Sequence, residues 1–197
     1  MSIEFAQSET KKNLMRAFAG ESQARNRYTF AAGLAKRQNL QVIEGVFTFT
    51  AGQEQAHAKV FYDLLTPVTG ENIRVDGNYP VDISADMVTL LRSAQHNEYQ
   101  EHGVDYAEFG KIAREEGFEE ISKTFEMIAD VEKTHGDRFG RYADLLEQEK
   151  LFVSDVQVQW MCLHCGQIVN ATRAPAVCPL CKHPQGYFIR LELSPFQ

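Results

Sequence analysis

Four stretches of the chain carry apolar residues at spacings of three and four, which is the period of an amphipathic helix. The stretches cover residues 8–36, 40–65, 84–116 and 118–149. The segment 66–83 has no such period, and Pro67, Gly70, Gly77 and Pro80 interrupt it. The pattern predicts two helical hairpins joined by a long connection, which a bundle needs when its second and third helices run parallel.

Residues at the ends of these stretches predict where the helices begin and end. Ser8 and Asn39 are suitable N-terminal caps for the first and second helices, and Ser84 is predicted to start the third. Gly117 is suited to end the third helix, because glycine accepts the left-handed conformation that often follows a helix. The fourth helix is expected to follow at once.

After the fourth stretch the pattern changes from a helical period to alternation. Val153, Val156 and Trp160 are β-branched or aromatic residues at spacings typical of short strands. We therefore predict a mainly α protein with two domains. A four-helix bundle covers residues 1–150, and a small β-rich module covers residues 151–197.

Acidic residues interrupt the apolar face of every predicted helix. In each half of the chain, a lone glutamate is followed at nearly the same distance by a Glu-x-x-His segment. The set is Glu21, Glu54, His57, Glu98, Glu132 and His135. A glutamate and a histidine at i and i+3 project from one face of a helix. Their recurrence predicts a carboxylate-bridged two-metal site inside a four-helix bundle.

The metal interpretation explains why so many acids share apolar faces. Burying one unpaired carboxylate costs several kcal/mol, and these faces carry no matching set of lysines or arginines. Bound cations would supply the missing charge. An oxygen-rich site with one or two imidazoles favours iron or manganese over zinc or copper.

Three further residues near the predicted ligands are candidates for a role in catalysis. Glu101 adds a second acid to the face of Glu98, although its spacing equally suits a solvent-facing position. Tyr28 and Tyr106 are suited to donate hydrogen bonds to ligands or to an oxidant, but buried tyrosines are also ordinary core residues.

Three glycines, Gly20, Gly52 and Gly136, also lie beside the predicted ligands. Glycine inside a helix costs about 0.5–1 kcal/mol relative to alanine. These glycines therefore predict a close approach between helices, or local strain, at the metal site.

Charge and hydrophobicity exclude several classes of protein. The net charge is −7 and no block of like charges is present, so nucleic acid is not expected as a partner. The N-terminal segment is polar, and no apolar run approaches the roughly 20 residues that a membrane span needs. We expect a soluble cytoplasmic protein that does not bind membranes.

The cysteines form two C-x-x-C pairs separated by twelve residues. They are Cys162, Cys165, Cys178 and Cys181. This clustering, in a chain without an export signal, favours a metal site over disulfides. Four thiolates hold zinc or iron. A structural zinc ribbon is the common case for such a module alone, whereas a one-electron iron centre better matches a redox-capable bundle.

Together these features resemble the rubrerythrin family along essentially the whole chain. The resemblance is carried by the bundle ligands with Glu101, and by Trp160-x-Cys162-x-x-Cys165-Gly166, Ala174-Pro175, Cys178-Pro179-x-Cys181 and His183-Pro184. It implies a ferritin-like bundle with a diiron site, in which Glu101 is a further ligand, and a rubredoxin-like domain with one iron held by the four cysteines. Zinc can replace that iron in recombinant protein.

The resemblance also implies a function. The protein would be a non-haem peroxidase that reduces hydrogen peroxide to water in defence against oxidative stress. Electrons would come from rubredoxin or an NAD(P)H-dependent reductase through the Fe(Cys)4 centre. One iron would exchange Glu101 for His57 between oxidation states. The protein would be a homodimer in which the cysteine centre of one subunit serves the diiron site of its partner.

Two other functions fit parts of the pattern. Iron storage, or ferroxidase activity of the ferritin type, needs only the bundle ligands, and an assembly of many subunits would favour it. Glu101 and the cysteine module argue against it, since storage needs neither. A non-catalytic metal-binding or interaction protein would hold zinc in both sites and be colourless, whereas a ferric tetrathiolate is red.

Overall fold

The computed structural model describes residues 3–194, which form a helical bundle followed by a small sheet. The helices are α1 (Glu9–Arg37), α2 (Gln41–Asp63), α3 (Met87–Gln100), α4 (Tyr106–Glu115) and α5 (Glu119–Glu147). The helix α1 packs along α2, and both α3 and α4 pack along α5. Because α3 and α4 are two parts of the third bundle helix, the predicted four-helix bundle is confirmed. Within residues 3–194, no helix has the length and apolar character needed to cross a membrane.

The third bundle helix contains a π-helical segment, Glu101–Asp105, between α3 and α4. The sequence pattern predicted one continuous α-helix here, and that prediction was wrong. A π-helical turn uses i→i+5 hydrogen bonds and changes the register of the residues that follow it. Gly103 lies inside the segment, and a glycine within a helical pattern was the available sign of the irregularity.

The structure confirms two of the predicted helix ends and differs from the prediction at two others. Ser8 caps α1, and Gly117 follows the third bundle helix with a positive φ of 91°. Asn39 does not cap α2, because it adopts the left-handed conformation with φ of 58°. Ser84 does not begin the third helix, which starts at Met87. The carboxylate of Asp86 caps it instead, by accepting a hydrogen bond from a backbone N–H.

The start of α1 is joined to the far end of the third bundle helix by Glu116. Its carboxylate accepts hydrogen bonds from the backbone N–H groups of Glu9 at 2.9 Å and Thr10 at 2.8 Å. It also accepts one from the Thr10 hydroxyl at 2.6 Å. A carboxylate here satisfies N–H groups that have no partner within the helix, and it opposes the positive end of the helix dipole.

We expect Glu116→Gln to lower the free energy of unfolding by about 1–2 kcal/mol, the usual effect of losing a helix cap. Burial raises the pKa of Glu116, but hydrogen bonds from Thr10 and Glu9 outweigh burial and leave the pKa below its ordinary value. The contribution is therefore present above the ordinary pKa and is lost as the pH falls through the folded-state pKa. Denaturant titrations at pH 7 and at acidic pH test this, with exposed Glu115→Gln as the control. Equal losses in both variants would contradict it.

Two apolar clusters fill the bundle, one on each side of the buried acids. The first cluster includes Tyr28, Phe47, Leu91 and Phe139, together with Leu151 and Ile189 of the C-terminal part of the chain. The second cluster includes Leu14, Phe61, Tyr106 and Phe125. Each ligand position lies between residues of these two clusters along its helix, so the acids form a polar layer across the middle of the core.

The C-terminal module is a three-stranded antiparallel sheet. Its strands are β1 (Val153–Cys162), β2 (Ile168–Arg173) and β3 (Phe188–Arg190), in the order β2-β1-β3. Trp160 of β1 is fully buried, and its indole N–H donates to the Ala171 carbonyl at 3.0 Å. The module also approaches the bundle closely, because a Cβ on Gly186 would lie 1.9 Å from the Asn39 carbonyl oxygen.

Candidate metal centres

Four glutamates and two histidines, one or two from each bundle helix, meet in the polar layer. Their ligand atoms form two groups, and within each group the atoms lie within 4.8 Å of one another. One group is Glu21, Glu54, His57 and Glu132, and the other is Glu54, Glu98, Glu132 and His135. Glu54 and Glu132 belong to both groups, so they are placed to bridge two metal ions. The structure thus brings together all six residues of the predicted repeat.

The donor atoms of these residues have the character expected of metal ligands. Buried side-chain atoms without a hydrogen-bond partner include Oε2 of Glu21, both carboxylate oxygens of Glu54, Nδ1 of His57, Oε2 of Glu98, both oxygens of Glu132 and Nδ1 of His135. Buried polar groups are nearly always hydrogen-bonded, and so many exceptions at one place need an explanation. Coordination of two metal ions by oxygen and imidazole donors provides one.

Glu132 is the central anion of the site. One of its oxygens lies 2.9 Å from Nδ1 of His57, and the other lies 2.7 Å from Nδ1 of His135. Burial raises the pKa of Glu132, but its contacts with His135 and His57 outweigh burial and lower the pKa to about 2. Burial lowers the pKa of His57, but Glu132 and Glu21 reverse this effect and raise the pKa to about 10.

The remaining carboxylates have too few cations around them when metal is absent. Burial, followed by the charge of Glu98, holds the pKa of Glu54 well above its ordinary value. Burial also raises the pKa of Glu98 to about 7, although contact with His135 opposes the rise. The site therefore binds extra protons at neutral pH unless metal replaces them.

We expect metal-free protein to lose stability as the pH rises from about 5 to 9. The folded-state pKa of Glu98, about 7, lies above its ordinary value of 4.5, so its contribution is full below 4.5 and is lost as the pH rises through 7. His57 acts in the same direction up to about pH 10. The shift of the Glu98 pKa alone corresponds to about 3 kcal/mol.

Urea unfolding of chelator-treated and iron-loaded protein, at pH 5.5 and 8.5 with a thiol reductant, measures this effect. Iron-loaded protein has the same surface charges and serves as the control, because metal keeps its ligands deprotonated. The same pH dependence in both forms would show that the buried carboxylates are not its cause.

Each predicted tyrosine donates a hydrogen bond to a ligand on another helix. The Tyr28 hydroxyl of α1 donates to Glu98 of α3, and the Tyr106 hydroxyl of α4 donates to Glu21 of α1. Burial, followed by the charge of the accepting carboxylate, raises both tyrosine pKa values well above the ordinary value. Both hydroxyls therefore stay protonated. The Tyr28 hydroxyl holds one oxygen of Glu98 in place, and the Tyr106 hydroxyl holds one oxygen of Glu21. A direct part in catalysis remains a prediction.

Glu101 lies beside the cluster but in neither group of ligand atoms. It is the first residue of the π-helical segment. Burial, followed by the charges of Glu98, Glu21 and Glu132, holds its pKa well above the ordinary value. Its side chain is half-buried. Its assignment as a metal ligand stays a prediction.

A cavity of about 490 Å³ opens beside Glu101. Its walls include Tyr106 from α4, Gln23 from α1 and the connection around Tyr79. Tyr79 closes over α1, where its hydroxyl donates to the Arg16 carbonyl at 2.9 Å. The sequence pattern predicted residues 66–83 only as a connection, and it did not indicate that this segment would line a cavity beside Glu101.

The three glycines near the ligands have different environments. A Cβ on Gly136 would lie 2.5 Å from the Tyr99 ring, so close approach of α3 and α5 explains this glycine. A Cβ on Gly20 would make an ordinary contact of 3.6 Å with Tyr79. Gly52 is exposed and a Cβ there would meet nothing within 4 Å, so the prediction of close approach was wrong at this position.

The four cysteine thiols form a second compact cluster in the C-terminal module. Their Sγ atoms lie within 4.8 Å of one another, and all four are free thiols. Burial raises the pKa of Cys162 to about 12. Burial acts in the same direction at Cys178, but the N–H groups of Cys181 and Leu180 outweigh it and lower the pKa to about 6. Cys178 is thus a thiolate at neutral pH, the form that binds metal.

Comparison with known proteins agrees with both sites. A family model described as rubrerythrin matches residues 12–143, and one described as the rubredoxin-like domain of rubrerythrin matches residues 160–189. The chain belongs to the rubrerythrin family. It is 41% identical to a rubrerythrin of Clostridium perfringens over 92% of this chain and 93% of the relative. It is 39% identical to that of Nitratidesulfovibrio vulgaris over 95% and 96% of the two chains.

Solved structures agree with membership of the rubrerythrin family. Nigerythrin in a mixed-valence state is 25% identical and superposes with a TM-score of 0.62 over 94% of this chain and 90% of that one. Symerythrin of Cyanophora paradoxa, at 20% identity and a TM-score of 0.61 over 75% of this chain and 89% of that one, shares the fold. The bundle cluster is accordingly a diiron carboxylate site, and the four cysteines form a rubredoxin-like iron site.

Proposed function

We propose that the protein is a peroxidase that reduces hydrogen peroxide to two molecules of water, taking up two electrons and two protons. Rubredoxin or an NAD(P)H-dependent reductase supplies the electrons through the Fe(Cys)4 centre. The observation that carries the proposal is the cavity whose wall includes both Glu101 and Tyr106 at the edge of the diiron cluster. Iron storage explains neither this cavity beside an extra acid nor the cysteine cluster in the same chain.

The bundle side chains prepare the site for this reaction. The six residues of the two ligand groups would hold two irons, which supply the reversible one-electron changes that reduction of an O–O bond requires. Tyr28 and Tyr106 keep Glu98 and Glu21 oriented. The apolar clusters on both sides exclude bulk water, so that the reaction is confined to the polar layer.

Glu101 and His57 support the proposed exchange of ligands. Nδ1 of His57 lies in a ligand group, whereas Glu101 lies outside both groups. Burial and the neighbouring carboxylates raise the pKa of Glu101, which favours a proton on its carboxyl group when it is off the metal. That proton is available to an oxygen atom of peroxide in the cavity. In the proposed exchange, His57 would bind iron while Glu101, off the metal, would supply this proton.

We expect Glu101→Ala to retain two bundle irons and to lose about 100-fold in peroxide turnover, the usual contribution of a positioned proton donor. Iron analysis and steady-state peroxide reduction, with the same electron donor for every variant, measure the two quantities. Asp105→Ala is the control, since Asp105 lines the same cavity without belonging to the cluster. Full turnover with two irons in the Glu101 variant would contradict the proposed role.

Metal content and assembly size separate this function from the alternatives. Protein made under iron-replete anaerobic conditions should contain three irons per chain and show a ferric tetrathiolate absorption band. Two irons in the bundle and one zinc in the cysteine site would leave no redox-active centre to pass electrons to the diiron site, and would favour a ferroxidase. Zinc in both sites would support the non-catalytic alternative.

We propose a cytoplasmic homodimer. Large apolar side chains stay exposed on α1 and α2, including Phe30 at 70% and Tyr62 at 55%, and a second copy packed against these helices would bury them. Light scattering that gives a dimer or tetramer would agree with the peroxidase. A hollow assembly of many subunits would favour storage.

A further inference from the structure

The two histidines of the diiron site differ in how their outer ring nitrogens are supported. We infer that Gln53 and Arg138 are positioning residues that hold His135 in the tautomer and orientation needed to bind iron through Nδ1. Within residues 3–194, His57 has no equivalent support, an asymmetry that agrees with the ligand exchange proposed above. This inference rests on the assignment of His135 and His57 as iron ligands.

The hydrogen bonds of Gln53 determine the tautomer of His135. Nδ1 of His135 faces the ligand carboxylates, and Nε2 lies 3.1 Å from Oε1 of Gln53. The same Oε1 accepts a hydrogen bond from Nη1 of Arg138 at 3.0 Å. Because a guanidinium only donates, the Gln53 atom between the two groups must be the carbonyl oxygen. Nε2 of His135 must then carry the proton, which leaves the lone pair of Nδ1 for iron.

Arg138 is itself held in place. Its Nη1 donates to the hydroxyl of fully buried Thr50 at 2.8 Å. Its guanidinium lies 5.0 Å from the ring centroid of Phe49, within the range of a cation–π contact. Arg138, Gln53 and His135 thus form a continuous chain from the surface of the bundle to the metal site, and His135 at its inner end is fully buried.

His57 has a different environment although it belongs to the same motif. Its side chain is 13% exposed, and among residues 3–194 no hydrogen bond to its Nε2 is found. Gln53 directly precedes Glu54, and the residue at the same place before Glu132 is Val131. Arg138 lies three residues after His135, and the residue at the same place after His57 is Val60. The two positions that would support His57 in the same way are therefore both occupied by valines.

Outer hydrogen bonds of this kind typically change metal affinity by about 10- to 100-fold. We expect Gln53→Leu, in full-length iron-loaded protein, to speed the transfer of one bundle iron to a ferrous chelator by a factor in that range. Gln53→Glu keeps an acceptor at the same position and should stay near the wild-type rate. Gln55→Leu, on the exposed face of α2, is the matched control.

A spectroscopic measurement separates positioning from a general loss of stability. In diferrous protein, the His135 N–H should give a hyperfine-shifted proton resonance that exchanges slowly with solvent. It should exchange rapidly in Gln53→Leu and slowly in Gln53→Glu. Arg138→Met, which removes the donor to Gln53, should show a smaller increase in both exchange and iron release, and it provides the test if Gln53→Leu does not fold.

Two results would overturn the inference, and they are distinguishable. Wild-type rates of N–H exchange and iron release in Gln53→Leu or in Arg138→Met, with two bundle irons in the parent protein, would refute the positioning role alone. A parent protein that binds no iron in the bundle would refute the ligand assignment on which the inference rests.

Discussion

Glu132→Gln should lose the bundle irons while keeping the iron of the cysteine site. Glu132 uses both oxygens, one beside Nδ1 of His57 and the other beside Nδ1 of His135. An amide offers only one oxygen, and its NH2 group would face a second ligand nitrogen or a metal ion. Because Glu132 belongs to both ligand groups, the loss affects both irons. We expect peroxide turnover to fall by at least about 100-fold, more than the loss of an outer partner of a ligand usually costs.

Iron analysis of the purified variant measures this outcome, with the ferric tetrathiolate band reporting the cysteine site independently. The expected iron content falls from three per chain towards one. Asp130→Asn is the matched control, because Asp130 is an exposed acid on the same helix. Two bundle irons in Glu132→Gln would show that Glu132 does not bridge them.

Cys178→Ser should abolish peroxide reduction by the NAD(P)H-linked donor and leave a folded bundle with two irons. Cys178 is buried, and hydrogen bonds from the N–H groups of Cys181 and Leu180 favour its thiolate. A serine hydroxyl is not deprotonated at neutral pH and does not replace the thiolate as an iron ligand. The diiron ligands all lie on α1, α2, α3 and α5, so the substitution does not touch them.

The absorption spectrum, iron content and turnover of this variant together test whether electrons enter through the cysteine site and reduce peroxide at the bundle site. A low-potential chemical reductant should still reduce its bundle irons directly. Val177→Ser, at the exposed position just before Cys178, controls for the added hydroxyl and should keep full activity. If Cys178→Ser lost bundle iron as well, the two domains would depend on each other more than the proposed boundary near residue 150 allows.

The six residues of the repeat could be predicted to lie together from the sequence because the helical period determines which residues share a face. Glu54 and His57 are one turn apart on α2, and Glu132 and His135 are one turn apart on α5. An acid among large apolar residues is conspicuous in such a pattern. The cysteine cluster was predictable for a similar reason, since C-x-x-C places two thiols in one tight turn.

Interactions between helices could not be predicted in the same way. Tyr28 donates to Glu98, and Tyr106 donates to Glu21, across pairs of helices whose relative register no local spacing determines. The sequence analysis did not identify Gln53, because its contacts with His135 and Arg138 cross from α2 to α5. The π-helical segment also lies against α5, where Nδ1 of His102 is 2.8 Å from the Ala129 carbonyl oxygen, a contact that no local spacing indicates.

The polar layer across the middle of the core makes the lifetime of the protein depend on the iron supply. Folded chains bind two irons in this layer and unfolded chains do not, so each tenfold increase of free iron above the dissociation constants adds about 1.4 kcal/mol to stability for each iron bound. Chains without iron unfold more often and are exposed to cellular proteases. We expect this enzyme to accumulate in iron-rich cells, where free iron makes peroxide most damaging, and to be cleared where iron is scarce.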